Sequence, residues 1–557
     1  MGEKIKKAIG VEGDFKTAIL PMINYSFANI YMGGAGYIIS MYFTVFLTDV
    51  VNLSAKSAGL VVMIATIWDA VTDPVMGIIT DRTRSKTGKH RRYLLWGIPL
   101  MVISYSLLWN SFGLNGAENP YKAMTYFIIV YMLYKTAYTV IGVPHTAMLP
   151  ELAPDYNLRT QYNSVGYLFN SAGMVPSFGI AVVILSIFGS NENITSDSKM
   201  PFLIIGIVLS LFFAGSVGLT YSKTRERSSL DNKVEPLDIK SFIREYVLVF
   251  KNKSFRQYFV MTLAYQLSTG FYLNSKVFYI KYLANQYSSY ALLNAVSGIA
   301  EAAAFPLNYS LTMKFGKKKC GDIVTPLMVA GLAIGLIMQT KGSSGGFIWS
   351  ALMMVSMILY PFGMSGLGFV STNVFPDLTD VDELITGRRR EGVISTFNTF
   401  IKKSISGVSA AFVGFVLSEF GLVTGDTVSK YEETTNQIFQ QSASALTGVR
   451  ICVAVIPIIA AVVALILLKK FQMTKDDHTM IRAAIAVKHK YGSVTLSDEE
   501  VARCELITGQ KLENTWLGKG NDVLTEHRLE KNAKGEYTIL IEEEANKKKE
   551  LEEQSNG

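Results

Sequence analysis

Cysteine, histidine and charge are all scarce in this chain, and each shortage excludes a class of protein. The 557 residues include three cysteines, Cys320, Cys452 and Cys504, which lie too far apart to suggest a disulfide framework or a C-x-x-C zinc site. The five histidines are scattered and form no metal-ligand pattern. Only 18% of the residues are charged, a balance that suits a membrane protein better than a soluble one.

Catalytic motifs are missing as well. Thr87-Gly88-Lys89 resembles the end of a phosphate-binding loop, but the earlier glycine is absent and His90 follows the lysine. Neither an esterase elbow nor a metalloprotease helix occurs. We therefore expect that the chain is not an enzyme, that it does not use ATP as its own energy source, and that it carries no cofactor.

Long apolar segments are what the sequence has in abundance. A membrane-spanning helix needs about 20 apolar residues, and segments of that kind recur twelve times, at roughly 19–48, 57–80, 92–112, 123–149, 164–188, 201–221, 257–283, 289–313, 321–340, 347–375, 391–418 and 447–468. The fold class that we predict is an all-α membrane protein with twelve transmembrane helices, located in the cell membrane (plasma or inner).

Basic residues cluster in alternate connections, after the second, sixth, eighth and tenth segments. Because cytoplasmic loops carry the excess of lysine and arginine, both termini are predicted to be cytoplasmic. The net charge of +8 is explained by this topology, and we do not expect nucleic acid as a partner.

A weak internal repeat predicts two halves of six helices each. Similar basic, glycine-containing turns, 77–89 and 311–319, follow segments two and eight. Parallel repeats of this kind are typical of transporters with a site between their halves. The predicted organisation has five parts: a cytoplasmic N-terminus (1–18), an N-terminal bundle (19–221), a cytoplasmic linker (222–256), a C-terminal bundle (257–471) and a cytoplasmic tail (472–557).

The tail has a different character from the bundles. Ser497-Asp-Glu-Glu500 reads as a helix capping box, followed by a short amphipathic run that ends at Gly509. The charged stretch from Ile541 onwards indicates a solvated helix or disorder. We favour a plain cytoplasmic tail, with a regulatory partner as the alternative.

Two carboxylates, Asp69 and Asp73, stand near the middle of the second apolar segment. Four residues apart on a helix, they share one face, and Thr72 lies on the same side. A carboxylate inside a membrane costs about 2.5–3.5 kcal/mol even on lenient scales, so its first interpretation is an ion or proton site. The alternative is that one aspartate caps a helix break at Pro74.

Other charges fall inside predicted spans and are expected to face a cavity or a counter-ion. They are Lys135, Lys276, Glu301, Lys402 and Lys403. Lys276 is interpreted as snorkelling towards the membrane surface. Lys403 lies deeper, so we expect it to face the Asp69/Asp73 pair from the other half. The predicted substrate-binding residues are Lys403, Asn398, Thr399, Lys135 and Tyr138.

Charged residues at the cytoplasmic ends of the helices suggest a gate. Asp81 lies at the inner end of the second segment and is followed by Arg82, while Arg389 lies in the basic turn before segment eleven. We expect these residues to hold the inner surface closed through ion pairs that break when it opens.

Several stretches together resemble the glycoside–pentoside–hexuronide:cation symporters. They are Trp68-Asp-Ala-Val-Thr-Asp-Pro74, the 81–89 loop, Val143-Pro-His-Thr-Ala-Met-Leu-Pro150, 375–383 and 386–392 before the helix with Lys403. The resemblance covers nearly all of residues 15–470. It implies a major-facilitator fold and sugar uptake driven by sodium, lithium or protons, with Asp69, Thr72 and Asp73 at the cation site and Lys403 lining the cavity.

The chain departs from the family pattern at the sugar site. Where melibiose-type members carry two sugar-binding aspartates, Gly33 and Gly142 stand here, and Thr146 replaces a tryptophan. Glycine at these points predicts a wider cavity. Sodium-using members often have asparagine at the position of Thr72, which favours protons slightly over sodium.

The leading interpretation is a symporter that imports a sugar, glycoside or uronide together with H⁺ or Na⁺. The only metal expected is Na⁺ at Asp69 and Asp73, and the expected partners are a saccharide and membrane lipid. Two alternatives remain at this point: the same fold carrying a lysolipid-like amphiphile, and a transport-inactive sensor that signals through its tail.

Overall fold

The computed structural model describes residues 19–85, 87–153, 156–188, 194–226, 249–284, 290–337, 347–388, 390–435, 439–521, 527–531 and 537–541. Helices dominate these residues. The long helices of the N-terminal half are α1 (Leu20–Ile38, continued by π-helical turns Ile39–Phe43 and Phe46–Val50), α2 (Ala55–Asp81), α3 (Arg91–Leu108), α4 (Pro120–Ala147), α5 (Tyr156–Ile187) and α6 (Lys199–Lys223).

The C-terminal half repeats this plan. Its helices are α7 (Lys253–Phe278, continued by the π-helical turn Tyr279–Leu283), α8 and α9 (the parts of Tyr290–Ile337 before and after Gly316), α10 (Phe347–Thr386), α11 (Glu391–Glu419) and α12 (Ala443–Arg450, Ile451–Val455 and Ile456–Lys470). Gly316 has φ 82°, a conformation that glycine adopts at no steric cost, and it separates α8 from α9.

Each of the twelve predicted apolar segments overlaps one of these helices. Within the described residues, eight helices are long and apolar enough to cross a membrane. The prediction of a helical membrane body is therefore confirmed, whereas the count of twelve spans, the cytoplasmic termini and the domain boundaries stay predictions.

The two halves pack closely where α2 begins and α11 ends. A Cβ atom added to Gly414 would lie 2.2 Å from the carbonyl oxygen of Ala55, and one added to Gly59 would lie 2.5 Å from that of Ala410. Small residues allow helix backbones to approach closely in membranes. This contact lies on one side of Asp69 and Asp73, and the basic turn after α2 lies on the other.

The tail forms two helices, α13 (Lys475–Tyr491) and α14 (Asp498–Thr508), and an antiparallel hairpin of β1 (His527–Lys531) and β2 (Tyr537–Ile541). The predicted capping box is confirmed: Ser497 and Glu500 satisfy each other's backbone N–H groups, and α14 ends at Gly509 in a left-handed conformation. The hairpin corrects the all-α prediction for the tail. Residues 542–557 lie outside the described residues.

The tail packs against the N-terminal end of α7 and the C-terminal end of α10. The backbone N–H of Trp516 donates to the carbonyl of Ile385 (3.0 Å), and the Ser254 hydroxyl donates to the carbonyl of Ile507 (2.8 Å). Tail side chains such as Ile481 and Cys504 are fully buried. Residues 475–521 thus pack against the C-terminal half through these contacts, and the cytoplasmic location of the tail stays a prediction.

Candidate functional site

The centre of the site is the carboxylate pair on α2. Ser54 caps the start of this helix by accepting a hydrogen bond from the backbone N–H of Ser57, and the helix continues unbroken through Pro74. Because the helix is continuous, the four-residue spacing places Asp69 and Asp73 on one face. Asp69 is only 1% exposed. The helix continues beyond both aspartates, which excludes the interpretation that either one merely caps a helix end.

Lys403 of α11 joins the two carboxylates. Its Nζ lies 2.9 Å from Oδ2 of Asp69 and 2.5 Å from Oδ2 of Asp73. The expectation that a lysine from the other half faces this pair is confirmed. A single ammonium group therefore links the two halves at the carboxylates.

Helix α4 supplies two further groups, one helical turn apart. Lys135 Nζ lies 3.4 Å from Oδ2 of Asp69. The Thr139 hydroxyl lies within hydrogen-bond distance of both carboxylates, at 3.1 Å from Asp69 Oδ1 and 2.9 Å from Asp73 Oδ1. The sequence analysis included Lys135 but missed Thr139, although the four-residue spacing from Lys135 was a signal that could have identified it.

Thr72 lies beside this cluster. Its hydroxyl donates to the backbone carbonyl of Asp69 (3.1 Å), and its Oγ1 is 3.5 Å from that of Thr139. Two carboxylates and two hydroxyls thus form a group of oxygen atoms of the kind that binds small hard cations or a proton. The two lysines balance the two carboxylates in charge, so the site is neutral overall.

The other predicted substrate-binding residues differ in their distance from the cluster. Tyr138 lies within electrostatic range of Lys135, Asp69 and Asp73, whereas no described contact joins Asn398 or Thr399 to them. Tyr138 packs in an aromatic group, 5.6 Å from the ring of Tyr31. Asn398 accepts a hydrogen bond from the hydroxyl of Tyr258 (3.3 Å), which turns it towards α7. Thr399 is exposed and lies one turn before Lys403.

The predicted inner gate falls mostly outside the described part of the chain. Arg389 lies outside the described residues, as does the side chain of Asp81. Arg82 follows directly after α2 and is half-buried. Arg390 pairs within its own half, with Asp382, at 2.6 Å. The gating roles of Asp81, Arg82 and Arg389 stay predictions.

A second ion pair links the halves at their opposite end. Lys281 Nζ lies 2.5 Å from Oδ2 of Asp49, joining the π-helical turn after α1 to the one after α7. Asp49 also accepts a hydrogen bond from the Thr48 hydroxyl (2.8 Å). The sequence analysis missed this pair, although the two residues end corresponding apolar segments of the two halves.

Helices α7 and α8 also carry charged and aromatic side chains. Lys276 is 8% exposed and donates to the hydroxyl of Ser297 (3.4 Å), so the snorkelling interpretation is wrong. Glu301 lies one turn after Ser297 and is exposed. One turn further, the exposed ring of Phe305 stacks at 6.3 Å on that of Tyr167, a residue of the other half.

The prediction of a wider cavity at the glycines is wrong for Gly33. A Cβ atom there would lie 2.1 Å from the carbonyl oxygen of Asn170, so this glycine allows α1 and α5 to touch and does not line open space. Around Gly142 the first atom that a Cβ would meet is Cε of Met32, at 3.4 Å, an ordinary packing contact.

Comparison with known proteins finds relatives across most of the chain. Residues 24–475 match the family model described as MFS/sugar transport protein. An uncharacterized symporter of Synechocystis is 24% identical over 81% of this chain and 94% of its own length. A putative glycoside/cation symporter of Escherichia coli is 24% identical over 80% of this chain and 90% of its own length.

Among solved structures, a nucleoside transporter, NupG, superposes with a TM-score of 0.53 at 14% identity, covering 82% of this chain and 98% of that one. At this identity the likeness shows the fold alone. It supports the major-facilitator architecture expected from the two six-helix halves.

Proposed function

Because this chain belongs to the MFS sugar transport family of glycoside–pentoside–hexuronide type, whose members are multi-pass membrane transporters, we propose that it carries a saccharide or glycoside in symport with H⁺ or Na⁺. The relative from Escherichia coli, named as a putative glycoside/cation symporter, supports this substrate class. The two halves would alternate in exposing one central site.

One observation carries the proposal of cation coupling. Asp69 and Asp73 of one half and Lys403 of the other meet in a single cluster, with Nζ–Oδ2 distances of 2.9 and 2.5 Å. Buried charge costs free energy in a membrane, and its presence there is explained best by an ion pathway. A transporter that moved only an uncharged sugar would not need these charged groups, whose burial costs free energy.

The lysine suggests how the cation is coupled to the substrate. When no cation is bound, the Lys403 ammonium occupies the position between the carboxylates. A proton or Na⁺ that binds to Asp69 and Asp73 competes with this ammonium and releases it towards the cavity, where its three donors can bind sugar hydroxyls. Cation and sugar then raise each other's affinity by the same factor, as linkage requires.

The conformation supports alternating access. Under the predicted orientation, the Gly414–Ala55 contact and the Asp49–Lys281 pair close the outer end. Asp49 and Lys281 belong to different halves, and they must separate to admit substrate from outside. In this account the described conformation is the outward-closed member of the cycle.

Transport in proteoliposomes tests the proposal. We expect saccharide counterflow, together with uptake that rises with an inward sodium or proton gradient. Competition by unlabelled glycosides and uronides would identify the substrate class. Competition by lysolipids with no effect of any saccharide would reject the sugar and favour an amphiphile as the substrate.

A further inference from the structure

A basic cleft lies at the cytoplasmic end of α2 and α3, away from the carboxylate site. It measures about 400 Å³ and is lined by Thr83, Arg84, Arg92, Tyr93 and Trp96. An adjoining cleft of about 440 Å³ shares Arg84, Arg92 and Trp96. Nothing in the transport cycle proposed above uses these side chains.

The two arginines of the cleft have no partners among the described residues, in contrast to their neighbours. Arg91 donates from Nε to the carbonyl of Tyr221 (2.9 Å) and stacks on its ring. The carboxylate of Glu226 accepts the N–H groups of His90 (3.0 Å) and Arg91 (2.8 Å). Neither Arg84 nor Arg92 forms an ion pair with a described carboxylate, so both guanidinium groups are available to an anion.

The exposed face of α3 continues away from the cleft along the helix, which we predict from the sequence to span the membrane. Arg92, Trp96, Pro99 and Ile103 follow one another at helical spacing, and Trp96 and Ile103 are 66% and 56% exposed. Tryptophan is enriched at the level of lipid headgroups, where its ring is apolar and its N–H finds a polar partner. A ligand bound here would contact the two arginine side chains at one end and apolar side chains along its length.

From this arrangement we propose that the cleft is a binding site for an anionic phospholipid of the inner leaflet. Arg84 and Arg92 hold the phosphate, Trp96 lies at the glycerol level, and one acyl chain follows Pro99 and Ile103. Basic pockets between helices on the cytoplasmic side are suited to such headgroups. A soluble phosphate would use the arginines but would leave the apolar face of α3 without a role.

Native mass spectrometry of the full chain, titrated with phosphatidylglycerol or phosphatidylcholine, tests the proposal. We expect phosphatidylglycerol to bind more tightly, and the double variant Arg84→Gln/Arg92→Gln to bind it roughly ten- to thirtyfold more weakly, as expected for the loss of two basic contacts. Arg84→Lys/Arg92→Lys, which keeps both charges, should retain most of the binding.

The matched control is Lys318→Gln/Lys319→Gln, which removes two charges from the corresponding basic turn of the other half. It should leave phosphatidylglycerol binding within about twofold of the unaltered protein, because neither lysine lines the cleft. Equal losses in both double variants would overturn the proposal. Full displacement of the lipid by equimolar glycerol phosphate would also overturn it, since that would identify a site for a soluble anion.

Discussion

Lys403 and Asp73 are 330 positions apart in the chain, yet Nζ of one lies 2.5 Å from Oδ2 of the other. The two residues come from opposite halves, and the same ammonium lies 2.9 Å from Asp69. Any movement that separates the halves at this level must therefore break or exchange an ion pair. A cation that competes for the carboxylates lowers the cost of that exchange, which connects the chemistry of the site to the motion of the fold.

Replacement of Lys403 by alanine is expected to abolish concentrative uptake. Removing one partner of a largely buried ion pair costs about 3–5 kcal/mol, because Lys135 still faces Asp69 but Asp73 keeps its charge without a cationic partner. Thermal unfolding of the purified protein should shift to lower temperature in sodium-free buffer and recover partly when a coupling cation is added. The control is Lys402→Gln, which removes the neighbouring charge from outside the cluster, and equal losses in both variants would contradict the role of Lys403.

Thr139→Val should weaken the cation site without unfolding the bundle. A hydrogen bond to a charged group contributes about 1.5–3 kcal/mol, so the cation concentration for half-maximal uptake should rise roughly tenfold or more. Thr139→Ser keeps the hydroxyl and should behave nearly as the unaltered protein does. If valine and serine variants require the same cation concentration, the hydroxyl does not contribute to the site.

Under the predicted orientation, breaking the Asp49–Lys281 ion pair should favour the outward-open state. Lys281→Met leaves Asp49 without its ammonium partner, and spin labels at positions 56 and 419, at the outer ends of α2 and α11, should report longer distances. The charge-reversed double variant Asp49→Lys/Lys281→Asp should restore the short distances. A single variant whose distances match those of the unaltered protein would show that the pair does not hold the outer end closed.

The two tail helices, α13 and α14, should separate from each other only in acid. Burial opposes ionisation of Asp477, but the Arg503 guanidinium and the Thr474 hydrogen bonds outweigh it and hold the pKa of this carboxyl below its usual value. The stabilisation is therefore complete above the unfolded-state pKa near 4 and is lost as the pH falls through the lowered folded-state value.

Hydrogen exchange of residues 475–508 measures this separation of α13 from α14. Protection should be constant at neutral pH, and Asp477→Asn should reduce it there, because the neutral amide no longer compensates Arg503. Protection that declines already near pH 6 would assign the pH dependence to another group and contradict the role of Asp477.

Local patterns in the sequence predicted part of the site and most of the fold. The spacing of Asp69 and Asp73 and the capping box at Ser497 depend on residues within one helical turn, so the sequence shows them directly. Long-range contacts are different. The spacing from Lys135 places Thr139 on the same face of α4, but only the packing of α4 on α2 brings its hydroxyl to the carboxylates. The pairing of Asp49 with Lys281 requires the two halves to be placed together.

The errors share a physical reason. The sequence predicts a wider cavity at Gly33 because a glycine can either leave open space or allow two helices to touch. The sequence alone does not distinguish these two cases. Lys276 was interpreted as snorkelling because only the packing of α8 brings Ser297 to its ammonium group. The contact of the tail with α10, through the backbone of Trp516 and Leu517, is a long-range contact that the sequence does not show.

The most direct test of the central claim is uptake of the substrate into proteoliposomes under an imposed sodium or proton gradient, with the unaltered protein and with Asp73→Asn in parallel. The account predicts accumulation above the external concentration for the unaltered protein. For Asp73→Asn it predicts that the substrate equilibrates without accumulating. Accumulation by the variant equal to that of the unaltered protein would contradict the assignment of cation coupling to the Asp69/Asp73 pair.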